Sequence, residues 1–201
     1  MKTHLLKKLK TTKGLAAWYD RKYASMGCGW DCPRSEALKY IEFMELPQDK
    51  NKRLLDVGCG QGHFTAIANE FVESFGIDIS QFIINKAKET YPAVQFALGN
   101  IEEEIIPEIH NVVDYVASIG SIEHCVDVPQ ALRSIHTILK ADGSFYALVP
   151  NEEWIHMDQV NEVTHTDEEW RALFTDAGFI ETKYMRINDI SHFLLKKGNA
   201  S

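Results

Sequence analysis

Between residues 53 and 149, short apolar runs rich in β-branched and aromatic residues alternate with longer segments whose apolar positions recur every three or four residues. The runs at 54–57, 71–77, 94–98, 112–118 and 144–149 read as five β-strands, each bounded by polar or glycine-containing stretches. The segments between them read as helices. One spans 63–70. A second is capped by Ser80 and carries Ile83, Ala87 and Tyr91 on one face. Another starts at Asp127, turns Ala131, Ile135 and Ile138 inward and ends near Gly143. Strand and helix in alternation at this spacing predict parallel strands joined by crossover helices, an α/β sandwich.

The flanks follow other patterns. Residues 150–165 are too polar for a strand and too irregular for a helix. Thr166 and Glu169 then stand at capping-box spacing ahead of a helix that buries Trp170, Leu173, Phe174 and Ala177 and closes at Gly178. Residues 179–187 and 190–196, on either side of Asn188-Asp189, predict a terminal antiparallel hairpin. Upstream, Ala16, Tyr19 and Tyr23 mark a short helix over 15–24, and 26–31 form a glycine-flanked loop carrying Trp30. Pro33 opens a second helix with Ala37, Ile41 and Met44 on its apolar face and Leu38 beside them, stopping before Pro47. Both helices precede the first strand, so they either cap a site or simply pack on the sheet. The whole chain, 1–201, reads as one domain with a helical cap over 1–50 and a core over 51–201.

Charge and composition narrow the partners. No apolar run approaches the roughly 20 residues that a membrane-spanning helix needs. Five of the 21 basic residues fall in the first thirteen positions, a solvated tail with too little apolar sequence for a signal peptide. The rest of the chain sets 16 basic side chains against 29 acidic ones, which repels phosphate backbones and suits neutral or cationic small molecules. Cys28, Cys32, Cys59 and Cys125 show no paired zinc spacing and, with no secretory signal, read as reduced thiols in the cytoplasm. No nucleic acid, membrane or metal is expected as a partner.

The chemistry centres on Asp56-Val57-Gly58-Cys59-Gly60-Gln61-Gly62. A strand-to-helix turn of this kind brings backbone close to a ligand and aims N–H groups at an anionic moiety. A dinucleotide site favours G-x-G-x-x-G, whereas here the spacing is G-x-G-x-G. Asp78, ending the second strand, can accept both hydroxyls of a ribose, which fits NAD or another nucleoside. Asn100-Ile101 follows the third strand, and Ser118-Ile119-Gly120-Ser121-Ile122-Glu123-His124 ends the fourth. Together with residues 164–179, these segments resemble the class I S-adenosylmethionine-dependent methyltransferases of the small-molecule type, from about Arg53 to the C-terminus.

The resemblance implies a Rossmann-like seven-stranded, mostly parallel sheet with helices on both faces and an antiparallel last strand. It implies S-adenosylmethionine as cofactor, held by Asp56, Gly58, Cys59 and Gly60 at its methionine end, by Asp78 and Ile79 at the ribose, by Asn100 and Ile101 at the adenine, and by Ser118 and Ile119. No proline follows Ser118, unlike the Asn/Asp-Pro-Pro-aromatic turn of nucleic-acid and glutamine N-methyltransferases. Glu123 and Asp127 make no convincing magnesium set. His124, beside Glu123, stands where the acceptor side begins, with a side chain suited to take a proton near neutral pH. Tyr19, Tyr23 and Trp30 of the cap, with Trp154, His156 and His165, are the candidates for the acceptor pocket. The favoured activity is N-methylation of a small amine or guanidine-like metabolite. O-methylation uses the same residues; an NAD-dependent oxidoreductase and a non-catalytic cofactor-binding partner are the alternatives of a different class.

Overall fold

The computed structural model describes residues 11–27, 29, 31–103, 111–153 and 164–198. Two helices, α1 (Thr12–Met26) and α2 (Arg34–Met44), lead into β1 (Arg53–Val57). There follow α3 (His63–Ala68), β2 (Glu73–Asp78), α4 (Gln81–Thr90), β3 (Gln95–Leu98), β4 (Val113–Ile119), α5 (Val128–Ile138), β5 (Leu139–Pro150), α6 (Asp167–Asp176), β6 (Phe179–Ile187) and β7 (Ile190–Lys197). The strands form one seven-stranded sheet in the order β3-β2-β1-β4-β5-β7-β6. β7 runs antiparallel to both β5 and β6, and the remaining neighbours pair in parallel. This is the Rossmann-like sheet that the resemblance implies.

Alternation along β4 and β5 divides the core into two layers. Val116, Phe145, Ala147 and Val149 face α5 and α6, where Leu132, Ile135, Trp170 and Phe174 meet them. Ala117, Tyr146 and Leu148 face the other side, against Ala37, Ile41 and Met44 of α2 and Phe64 of α3. Helix starts are set by side-chain caps: Ser80 accepts from the Ile83 N–H, Asp127 from the Gln130 N–H, and Thr166 with Glu169 forms a reciprocal capping box.

Two boundaries differ from the sequence reading. α5 stops at Ile138 rather than near Gly143, because Leu139 is fully buried and pairs with Val113, so that β5 begins five residues early. The polar stretch after Leu139 is an irregular strand start, with a register shift between Val113 and Tyr115, rather than a helix end. Leu38 is exposed instead of sharing the buried face of α2, whose inward residues are Ala37, Tyr40, Ile41, Phe43 and Met44. The two leading helices also divide their roles. α2 packs on the sheet, whereas α1 lies across α4 and the end of β2, with Leu15 and Tyr19 packed against Ile79 and Val126.

Candidate active site

The carboxyl ends of β1, β2 and β4 open into a cavity of about 930 Å³ that continues past α2 to the β6–β7 turn. Such a crevice at the reversal of strand order is where open α/β sheets bind ligands. Tyr19, Tyr23, Asp56, Gly58, Cys59, Gly60, Asp78, Ile79, Asn100, Ile101, Ile119, Glu123 and His124 all line it. These candidates come from segments more than 100 residues apart, and the fold brings them to one wall.

The glycine turn works differently from the expectation. The N–H groups of Gly58 and Cys59 both donate to the Ile77 carbonyl, at 2.9 and 3.0 Å. Gly60 N–H donates to Asp78 Oδ2 at 3.1 Å, and Gly62 N–H to the Cys59 carbonyl at 2.9 Å. The donors of 58–60 are spent holding the turn to β2 and that of Gly62 closes the turn on itself, so these N–H groups do not face a ligand carboxylate; they leave the turn to contribute shape. Gly58 has φ +73°, and a Cβ there would lie 2.3 Å from the Cβ of Ser121. Gly60 has φ +52°, and a Cβ there would meet nothing within 4 Å, since that side faces the cavity.

Asp78 is buried, and each of its oxygens already accepts one N–H: Oδ1 from Ser80 at 2.9 Å and Oδ2 from Gly60. A carboxylate has about four lone-pair positions, so acceptor capacity remains for an incoming hydroxyl. Burial pushes its carboxyl up to about 6 despite those N–H donors. Asp56 is also buried, accepts from Thr65 Oγ1 at 2.6 Å and is pushed up to about 7 by loss of solvation. Asn100 Oδ1 accepts from the Glu102 N–H at 3.0 Å, an arrangement that turns the amide nitrogen into the group available for a base edge. An open glycine cradle, a buried acid with spare acceptor positions and an amide beyond it fit an adenosyl amino acid.

Ser118 does not line the cavity. It is fully buried, and its Oγ lies 2.6 Å from Ser121 Oγ and accepts from the Ile122 N–H at 3.2 Å. Ser121 Oγ donates in turn to the Val57 carbonyl at 2.6 Å. This chain of bonds leads into the 3-10 turn Ile122–His124, which carries Glu123 and His124 onto the wall of the same cavity. Glu123 Oε1 lies 3.7 Å from His124 Nε2, and the Tyr19 ring stands edge-on to the imidazole at 6.1 Å.

α1 is fastened over the site by one residue that the sequence reading did not single out. Asp20 Oδ1 accepts from Ser80 Oγ at 2.6 Å and from the Phe82 N–H at 3.1 Å, adding a second cap to α4. Tyr19 and Tyr23 stack at 5.4 Å beneath it, and burial next to Asp78 and Cys59 holds the Tyr23 phenol well above its ordinary range. Removing Asp20 severs both bonds. Asp20→Ala is therefore expected to cost about 2 kcal/mol of stability and to weaken cofactor binding, read by thermal unfolding with and without S-adenosylmethionine.

The remaining acceptor candidates part company. His165 lies outside the cavity lining, its ring edge-on to Trp170 at 4.9 Å and its Nδ1 3.6 Å from Glu169. Trp30, Trp154 and His156 lie outside the described residues. Glu152 and Glu153 of the same loop pair with Arg186 at 3.0 and 2.9 Å, so both acids are drawn toward the hairpin, where they share one guanidinium with Asp167. In their place the structure brings Tyr40, Phe43, His63 and His192 to the cavity. Their positions depend on which helix covers which strand, and no local spacing marks them. Among the described residues no group of three or more His, Cys, Asp or Glu is placed to hold a metal ion, and no helix is long and apolar enough to cross a membrane.

The methyltransferase-domain family matches residues 48–193, most of the chain and all of this crevice except the parts built by α1, α2 and the loop between them. The chain belongs to that family. This methyltransferase domain has S-adenosylmethionine as its cofactor and is 28% identical over 151 residues to protein 235L of Invertebrate iridescent virus 6, which carries a methyltransferase name; 74% of this chain and 54% of that protein are covered. It is 28% identical over 149 residues to the mitochondrial arginine-hydroxylase NDUFAF5 of Homo sapiens, covering 72% of this chain and 41% of that one. The chain thus spans about half the length of the curated relatives it matches. In fold, the methyltransferase domain is similar to the [4+2]-cyclase SpnF, with a TM-score of 0.77 at 16% identity over 96% of this chain and 98% of that one.

Proposed function

We propose that the protein transfers a methyl group from S-adenosylmethionine to a small-molecule acceptor, an amine or guanidine-like metabolite methylated on nitrogen. The observation that carries this reading is the buried Glu123–His124 pair on the wall of the cavity that the glycine turn also lines. The lining supports a basic acceptor: Asp31, Glu36, Asp78, Glu102, Glu123 and Asp189 stand against Lys22 and Lys39. Such an excess of carboxylates raises the local concentration of cations.

S-adenosylmethionine supplies the electrophilic methyl group, and the other tasks fall to this chain. Asp78 and Asn100 hold the nucleoside end, and the open face of Gly60 admits the amino-acid end close to the backbone. Tyr19 and Tyr23, pinned through Asp20, exclude water above the site. His124 takes the proton that a protonated amine must shed, and Glu123 orients the imidazole and stabilises its charged form. Fixing nucleophile and methyl carbon in line can supply up to about 7–11 kcal/mol of barrier lowering.

The test is a labelled-methyl assay with matched amine, phenol and carboxylic acid acceptors, on wild type and His124→Ala. Transfer to amines, with turnover falling about a hundredfold or more in the variant and S-adenosylmethionine affinity within twofold, is the expected result. Transfer confined to phenols or acids replaces this reading with O-methylation. Unchanged turnover in His124→Ala removes His124 as the base.

A further inference from the structure

The cavity is larger than one cofactor site requires. At about 930 Å³ it reaches the upper end of the ~300–1,000 Å³ typical of small-molecule pockets. Its far end lies between α2 and the sheet formed by β5, β7 and β6. Tyr40 and Phe43 cover it from α2, while Leu148, His192 and Met185 line it from the strands. Leu148 and His192 are cross-strand partners, as are His192 and Met185, so the three stand in a row across the sheet.

On the strand side the buried polar side chain of this surface is His192. His192 is 5% exposed, and its Nδ1 lies 2.8 Å from Tyr146 Oη, also buried. The rings of Tyr40, Phe43 and Tyr146 surround the imidazole at centroid distances of 6.1, 5.8 and 6.1 Å, which fixes its plane. Burial lowers the His192 pKa and raises that of Tyr146, so both are neutral near pH 7. The phenol O–H, the stronger donor, gives its hydrogen to Nδ1, and the imidazole proton therefore resides on Nε2. Among the described residues none hydrogen-bonds Nε2, and the atom is not sealed from solvent. A fixed N–H donor is thus presented to the cavity between the rings of Tyr40 and Phe43 and the side chains of Leu148 and Met185, where an oxygen that fails to meet it leaves a desolvated donor unpaired.

We infer that His192 is a specificity-determining residue whose Nε2–H recognises a neutral oxygen, such as a carbonyl, on the apolar body of the methyl acceptor. Tyr146 is the positioning residue that sets its tautomer. This rests on the reading of the near end of the cavity as the cofactor site, and it adds that the amine acceptor carries an apolar portion bearing an oxygen remote from the methylated atom.

The probe pair is acetophenone and ethylbenzene, alike in shape but for the carbonyl, titrated into full-length protein saturated with S-adenosylhomocysteine and followed by saturation-transfer NMR. Acetophenone is expected to bind about tenfold more tightly. That preference is expected to vanish in His192→Phe and to weaken in Tyr146→Phe, with S-adenosylhomocysteine affinity unchanged in both. In the wild type alone, the ¹⁵N resonance of His192 Nε2 should move with acetophenone and stay in place with ethylbenzene, an arm that needs no variant. Equal binding of the two probes, binding of neither, or an oxygen preference that survives His192→Phe overturns the inference. Failure of S-adenosylhomocysteine to bind at the outset instead counts against the methyltransferase reading.

Discussion

Asp78→Ala is expected to lose S-adenosylmethionine affinity by a factor of roughly 10²–10⁴, measured by calorimetry, because two charge-assisted hydrogen bonds at about 1.5–3 kcal/mol each disappear. The same substitution leaves the N–H groups of Gly60 and Ser80 without their acceptor, so part of its effect will appear as lower stability of the free protein. Asp78→Asn separates the two effects, since the amide oxygen still accepts from one N–H. The acid also makes binding pH-dependent. Burial pushes the Asp78 carboxyl up to about 6, above an ordinary value of 3.8. A raised carboxyl favours the protonated folded state, so its contribution to stability is fully present below about pH 4 and is lost as pH rises through about 6. Ribose hydroxyls need the anion as acceptor, so affinity should move the other way, falling about tenfold between pH 8 and pH 5. Asp78→Asn should be flat over that range. An equally steep profile in the Asn variant would assign the titration to another group, of which Asp56, pushed up to about 7, is the first to examine.

The two glycines of the turn should fail in opposite ways. Gly58→Ala places a methyl 2.3 Å from the Cβ of Ser121 at a backbone φ of +73°. Ser121 cannot swing aside, because its Oγ bridges the Val57 carbonyl and Ser118 Oγ. Left-handed strain of about 1–2 kcal/mol and overpacking of about 1–3 kcal/mol together predict a loss of about 2–5 kcal/mol. In a chain of this size that is a fall in Tm of about 5–15 °C, followed by circular dichroism. Gly60→Ala carries only the strain, since nothing lies within 4 Å of the new methyl. It should fold with a Tm a few degrees lower yet bind S-adenosylmethionine roughly ten- to hundredfold more weakly, because the methyl projects where the ligand approaches. If Gly60→Ala binds cofactor as the wild type does, the open face of the turn is not the cradle.

These contrasts bear on how much the chain disclosed before its fold was known. The crossover alternation, the capping box at Thr166 and the terminal hairpin were legible because each depends on residues within one element or one turn. The β5 start was not, because Leu139 is drawn into the strand by its pairing with Val113 and by burial in the core, and neither is local. The same holds in the site. Asp78 and Gly60 announce themselves by position after a strand. Ser118 stood in a promising segment, yet its hydroxyl is consumed in fastening β4 to β1 through Ser121.

By itself, then, the sequence determined the sheet and the place where a nucleoside is held, because strand ends, turn glycines and a strand-terminal acid are short-range features; S-adenosylmethionine followed from the resemblance of those segments to class I methyltransferases. Only the tertiary structure decided that the glycine turn serves as shape rather than as a set of donors, since the N–H partners at 58–60 lie on β2. It alone decided that Asp20 clamps α1 to α4. The far chamber, too, exists only once α2 from the start of the chain lies over β7 from its end: Tyr40 and His192 are 152 positions apart and meet at 6.1 Å. A chamber built from such long-range packing leaves no periodic or spaced signal along the chain.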